Sequence, residues 1–285
     1  MEYLYNFGFM LKTYRKDLSS AKRLVSSFIQ YNDEKLPLFI VVSQMDFALF
    51  QKQMPNKRYI HLMKEEDIPV QYVTENTPHL HTVGYINQQI VKLAFWETGL
   101  CKNYCCIDSD AVFISKIRQK RFLYDNSTPY STLIEDNDLR TENRYYRKYW
   151  QRREVFIRKI WNTIGLKQEH ILTCHGFQTM SALVLDDFKR NFLLPQSKTY
   201  SDILCISPYE FSWYNAWLQK SGTIPIYPCE SPFKTYHMRY QWIRDRLSGI
   251  NIDSLKRSYV GIILNSNWHG HKNVFPGGKP WSLYL

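Results

Sequence analysis

Asp108 and Asp110 stand two residues apart in Ile107-Asp108-Ser109-Asp110-Ala111-Val112-Phe113-Ile114, with apolar residues on both sides. Two carboxylates that close, at the end of a buried strand, repel each other and are poorly solvated unless a cation or ligand lies between them. A hard divalent ion with oxygen ligands, Mg2+ or Mn2+, removes that cost. Asp-Ser-Asp is also a common turn sequence, but a turn is not expected to be followed at once by Ala-Val-Phe-Ile. A second constellation lies in the C-terminal tail, where His269 and His271 precede Gly277, Gly278 and Lys279. Glu210 opens an apolar helical stretch after Ser207-Pro208-Tyr209, where an acid favours the helix dipole.

These residues need elements to hold them. Residues 4–12 read as a first strand, Thr13 to Asp17 as a loop, and Leu18 to Tyr31 as a helix with apolar positions at Leu18, Ala21, Leu24, Val25 and Phe28. The continuous apolar run at 36–43 suits a buried parallel strand. Residues 59–63 suggest a third strand. Residues 84–99 form a helix closed by Gly99, and 104–114 a strand broken by the two acids. This alternation predicts an α/β fold with a Rossmann-like, mainly parallel sheet flanked by helices. Residues 176–193 read as strand then helix, and Ile224 to Tyr227 as another strand. The expected organisation is one domain, with halves at 1–115 and 171–285 and a basic helical insertion at 116–170.

The chain has 285 residues, 44% hydrophobic and 22% charged, and so is globular rather than disordered. Its net charge of +11 implies an anionic partner. The excess concentrates between Lys116 and Lys159, where twelve Lys/Arg face six acids. Within that stretch a helix carrying Arg144, Arg147, Lys148, Arg152 and Arg153 suggests peripheral contact with an anionic membrane. Nucleic acid is not the expected partner, because no helix-turn-helix, RRM, KH or zinc pattern is present. None of the six cysteines has C-x-x-C spacing, and all are read as reduced thiols. The start lacks the basic n-region of a signal peptide, and no apolar run approaches a spanning length, so a cytoplasmic location is expected.

A strand–Asp-x-Asp–strand about 100 residues into the chain, after an N-terminal βα unit, resembles the signature of GT-A glycosyltransferases. Gly84-Tyr85, Gln88-Gln89 and Lys92-Leu93 leading into Cys106-Ile107-Asp108-Ser109-Asp110 are similar to one bacterial group, the DUF6492-like proteins found among surface-polysaccharide genes. Thr13-Tyr14-x-x-Asp17, Glu210-Phe211-x-x-Tyr214, Lys234-x-x-His237 and Asn265-Ser266-Asn267-Trp268 extend the resemblance over the whole chain. It implies a GT-A fold and transfer of a sugar, hexosyl in type, from a nucleotide-sugar (UDP-linked) to a glycan or glycolipid acceptor such as capsule, O-antigen or lipooligosaccharide. It also implies that Asp110 binds Mn2+ or Mg2+ directly, that Asp108 reaches ribose or sugar hydroxyls, and that the loop carrying Thr13, Tyr14, Arg15 and Asp17 holds the nucleoside. Arg15 or Lys16 adds charge near phosphate in that reading. A C-terminal histidine, His269 or His271, completes the metal shell, and Lys279 contacts the diphosphate. The spacing to Lys279 departs from related patterns and leaves open which histidine ligates. Glu210 falls where inverting members keep a general base, with His175 as rival base or acceptor-site residue. Lys234 and His237 could meet acceptor or phosphate. Gln88 and Lys92, one helical turn apart, share a face that could point into the donor site, although Lys92 also reads as an ordinary solvated lysine. The competing functions are a metal-dependent phosphohydrolase or nucleotidyltransferase and a non-enzymatic nucleic-acid-binding protein.

Overall fold

The computed structural model describes residues 2–75, 82–135, 137–172 and 177–265. Its strands are β1 (Tyr5–Lys12), β2 (Leu38–Val42), β3 (Ile60–Lys64), β4 (Cys101–Ile107), β5 (Ala111–Phe113), β6 (Tyr130–Ser131), β7 (Phe177–Ser181), β8 (Tyr227–Pro228), β9 (Phe233–Tyr236) and β10 (Gly261–Leu264). The central sheet runs β3-β2-β1-β4-β7. Its first four strands are mutually parallel, and β7 closes it antiparallel to β4. The mixed, mainly parallel sheet flanked by helices is the fold class the sequence predicts.

The helices are α1 (Leu18–Tyr31), α2 (Gln44–Gln53), α3 (Val83–Ala94), α4 (Asn137–Thr141), α5 (Asn143–Tyr145), α6 (Gln151–Ile164), α7 (Ala182–Phe188), α8 (Tyr200–Ile206), α9 (Glu210–Ser221), α10 (Arg239–Leu247) and α11 (Ile252–Leu255). Strand alternation sorts the core onto the two sheet faces. Phe9, Leu11, Ile40, Cys105 and Ile107 pack with Ala21, Leu24, Val25 and Phe28 of α1 on one face. Met10, Phe39, Val41, Tyr104 and Cys106 pack with Ile86, Ile90 and Val91 of α3 on the other. The five described cysteines are free thiols, and Cys105 and Cys106 point to opposite faces of the sheet. A π-helical segment, Tyr146–Trp150, joins α5 to α6 without leaving helical geometry. The basic region thus contains one long helix over 143–164, whose Trp150, Ile157, Ile160 and Trp161 enter the same core as α3. No helix among the described residues is long and apolar enough to cross a membrane.

Three expectations change. Residues 104–114 are not one strand: β4 ends at Ile107, the amide of Ala111 donates to the carbonyl of Asp108 (3.1 Å), and β5 leaves for a second sheet ordered β5-β10-β9. Asp-Ser-Asp is thus a turn after all, and the apolar run behind it continues because it enters another buried sheet. The strand at 224–227 shrinks to Tyr227–Pro228, which pairs with β6. Helix α2 was not anticipated, because it buries only Asp46 and Phe50 and so shows no apolar stripe.

Packing at Gly261 yields a stability prediction. A Cβ there would stand 2.4 Å from Phe233 Cε1 and 2.9 Å from the Val112 carbonyl. Neither neighbour can retreat, since Phe233 is held in the core and the carbonyl belongs to β5. Gly261→Ala should lower unfolding free energy by about 1–3 kcal/mol, as overpacking does. Urea denaturation measures this, and an unchanged midpoint would refute it.

Candidate functional site

In a parallel sheet ligands bind beyond the carboxyl ends of the strands, where the strand order reverses. Here chain order runs outward from β1 to β2 and β3, then returns to place β4 on the other side of β1. The reversal lies between β1 and β4, whose register pairs Leu11 with Ile107. The next residues on those strands lead directly into the Thr13 loop and the Asp108 turn. Topology alone therefore brings together two segments about a hundred residues apart.

Helix α3 supplies the wall beside that crevice. Most of its positions are apolar and buried, but Tyr85, Gln88, Gln89 and Lys92 recur at i, i+3, i+4 and i+7 and form one polar stripe. Tyr104 of β4 fixes the helix by donating its hydroxyl to the Lys92 carbonyl (2.7 Å). Lys92 is 3% exposed, and its ammonium lies 3.0 Å from Asp108 Oδ1 and 2.9 Å from Glu210 Oε1. Burial pulls the Lys92 ammonium toward deprotonation, but the Asp108 and Glu210 carboxylates outweigh it and hold the group charged, well above the usual lysine range. The Phe211 ring lies 4.8 Å from the same nitrogen. Lys92 is thus not a solvated lysine. Gln88 donates to Asp108 Oδ1 at 3.4 Å, so the two residues do share a target.

Glu210 begins α9, which is tied to β7 by the Ser181 amide donating to the Tyr214 hydroxyl (2.9 Å). Its carboxylate is nearly buried. With the Gln89 amide nitrogen turned toward it, Gln89 donates to both oxygens at 2.7 and 2.8 Å. Lys92 and Gln89 together occupy Glu210, which sits in the crevice wall as the counter-charge of Lys92. Next to it the Tyr85 phenol is pushed up by burial and then by the Glu210 carboxylate. The notable feature is a buried lysine clamped between an acid 16 residues away and another 118 residues away.

The other expected residues fall as follows. Asp110 ends the turn at the crevice edge, and its carbonyl accepts from the Leu264 amide (3.2 Å). Thr13 is buried at the end of β1, with its amide donating to the Val41 carbonyl (3.0 Å), and Tyr14 is exposed beside it. Asp17 stands at the N-terminus of α1. Arg15 Nε donates to Asp46 Oδ1 (2.5 Å) and its amide to Asp46 Oδ2 (2.9 Å), which pins the loop to α2. Lys234 approaches Asp245 at 3.7 Å. His237 is buried 5.0 Å from the Tyr145 ring, and burial together with the Arg153 guanidinium pushes its imidazole down to about 3, so it is neutral at pH 7. Arg153 leaves the basic outer surface, standing 5.1 Å over the Tyr209 ring. His175, His269, His271 and Lys279 lie outside the described residues.

Sequence reasoning gave no role to Gln89 or the Phe211 ring and missed the inward turn of Arg153. The polar stripe on an otherwise apolar α3 was the available signal for Gln89, and no pattern marks the other two. Lys12 was also missed. It ends β1 in an ion pair with Glu65 at 2.5 Å on the far rim of the reversal point.

Fold and site define a Rossmann-like α/β protein with an acidic crevice, built around a buried lysine, at the switch point of its parallel sheet. The chain belongs to the family described as "Family of unknown function (DUF6492)", whose pattern matches residues 9–160. No curated protein matches it. Among solved structures, the apo form of mouse xyloside xylosyltransferase 1 aligns with a TM-score of 0.48 and 11% identity over 92% of this chain and 98% of that one. Apo WbbM, titled a bifunctional glycosyltransferase, aligns with 0.48 and 10% over 98% of this chain, which spans about half (51%) of the WbbM chain. At this similarity neither carries a function over.

Proposed function

We propose that the protein is a GT-A-type glycosyltransferase that moves a sugar from a nucleotide-sugar, UDP-linked, to a hydroxyl of a bacterial surface glycan or glycolipid. The observation that carries this reading is the placement of Asp108, Asp110 and the clamped Lys92 at the switch-point crevice beside the Thr13 loop. Switch points of this kind take nucleotides.

The acids present fit a divalent cation. Mg2+-type sites commonly use one or two carboxylates plus substrate phosphates rather than a full protein cage. Among the described residues no three His, Cys, Asp or Glu are arranged around one point, but two carboxylates flank the turn. Lys92 already holds one Asp108 oxygen, which makes Asp110 the principal ligand and leaves Asp108 to the donor's hydroxyls. When bound, Mn2+ or Mg2+ would supply Lewis-acid stabilisation of the departing diphosphate. Lys92 fixes the Asp108 carboxylate and offsets its charge, so an anionic donor can approach. Glu210 holds Lys92 in place. The exposed Tyr14 ring offers the nucleoside base a stacking face.

The direct test incubates the protein with a panel of nucleotide-sugars and Mn2+ and measures release of nucleoside diphosphate. One donor should be consumed, and EDTA should abolish the release. Release of nucleoside monophosphate or inorganic phosphate would instead indicate a phosphohydrolase or nucleotidyltransferase. No metal-dependent consumption of any donor, with or without added oligosaccharide, would overturn the reading.

A further inference from the structure

The long helix from Asn143 to Ile164 has two unlike sides. Its inner side is buried through Tyr145, Trp150, Ile157 and Ile160. Its outer side exposes Arg144, Arg147, Lys148, Arg152, Arg158 and Lys159. From Arg144 to Lys159 this face extends about 22 Å. Seven Lys/Arg stand on the helix against a single acid, Glu154, which pairs with Arg158 at 2.8 Å. Val155 is 54% exposed in the middle of the cations.

The cations also lie over rings. Lys148 is 5.2 Å from Tyr149, while Arg152 and Lys159 are 6.0 and 5.1 Å from Phe156. Long cationic side chains that rest their stems on apolar surface and turn their heads outward suit an interface between an apolar layer and anionic headgroups. They suit single-stranded nucleic acid less well, since bases stack on open ring faces and these rings are already covered by the protein's own cations. The flank of the same helix reaches the crevice: Arg153 stands over Tyr209, and Phe156 meets that ring edge-on at 5.7 Å.

We propose that this outer face docks the protein reversibly on an anionic lipid bilayer, with the crevice wall formed by Tyr209 and Glu210 next to that surface. The inference rests on charge and burial and does not depend on which reaction the crevice performs. It also removes Arg153 from the docking face suggested by the sequence, because Arg153 points to Tyr209.

Vesicle sedimentation tests it with phosphatidylglycerol/phosphatidylcholine vesicles, pure phosphatidylcholine vesicles and a single-stranded RNA. The protein should pellet with the anionic vesicles only, and the pelleted fraction should vanish at about 0.5 M salt as screening shortens to a few ångströms. The variant Arg147→Gln/Lys148→Gln/Arg152→Gln/Lys159→Gln should bind about 10²-fold more weakly, each cation contributing severalfold. A control with the same charge change elsewhere, Lys52→Gln/Lys57→Gln/Arg58→Gln/Lys167→Gln, should bind like the wild type. All eight side chains are exposed, so both variants should keep the wild-type melt. Equal pelleting with both vesicle types, an unaffected stripe variant, an equally weakened control, or stripe-dependent binding to RNA without binding to vesicles would each overturn the proposal.

Discussion

Replacing Lys92 by methionine should cost the protein about 3–5 kcal/mol of stability, the range expected when one partner of a buried ion pair is removed. The penalty arises mainly at Glu210. Asp108 is 36% exposed and can recover water, whereas Glu210 is 8% exposed and keeps only the Gln89 amide. Methionine fills most of the space, so the loss is electrostatic rather than a cavity. A second variant separates these causes. Lys92→Met/Glu210→Gln removes the stranded charge together with its partner, and should be more stable than Lys92→Met alone although it carries one more substitution. Denaturant melts of the wild type, both single variants and the double variant give the coupling directly. Additive losses would mean that the clamp contributes nothing. Donor turnover should fall in both variants that lack Lys92, because Asp108 loses the group that orients it.

Why this clamp was invisible beforehand is a matter of range. Within the first 64 residues β1, α1, β2 and β3 were legible because their signals are local, whereas α2 was not. Helix α1 repeats its apolar positions over fourteen residues, and β2 is an unbroken apolar run. The Lys92–Glu210 contact joins residues 118 apart on two helices. No periodicity encodes which of many lysines will face which of many acids, so Lys92 could be read equally well as solvated. The same limit hid the Arg15–Asp46 contact. The Asp-Ser-Asp turn misled for another reason. Alternation marks Ala111, Val112 and Phe113 as buried but carries no information on which sheet buries them, and β5 belongs to a different one. The position of the crevice could be inferred only once strand order was known, since the reversal between β1 and β4 is a property of topology.

Asp110→Asn should leave the fold intact and remove metal-dependent nucleotide binding. Asparagine has nearly the same shape and is equally at home in a turn, so stability should stay within about 0.5 kcal/mol of wild type. The chemical change is larger than the steric one. Beside Asp108 and Glu210, which hold the Lys92 ammonium, the turn carries a further acid at Asp110. Lys92 is shared between Asp108 and Glu210, so the proposed ligand role falls to Asp110. An amide oxygen there ligates weakly and adds no charge, whereas Mg2+ and Mn2+ affinities depend on anionic oxygens. Calorimetry with UDP should therefore show Mn2+-enhanced binding in the wild type and the same weak affinity with or without Mn2+ in the variant. Turnover should fall by about 10³-fold, roughly 4 kcal/mol of transition-state stabilisation. Asp108→Asn offers the contrast. It weakens the clamp on Lys92, so it should lower the melting temperature as well as activity while retaining a residual response to Mn2+. If Asp110→Asn kept the full Mn2+ response and Asp108→Asn lost it, the two carboxylates would exchange roles. If both kept it, the turn would not be the cation site.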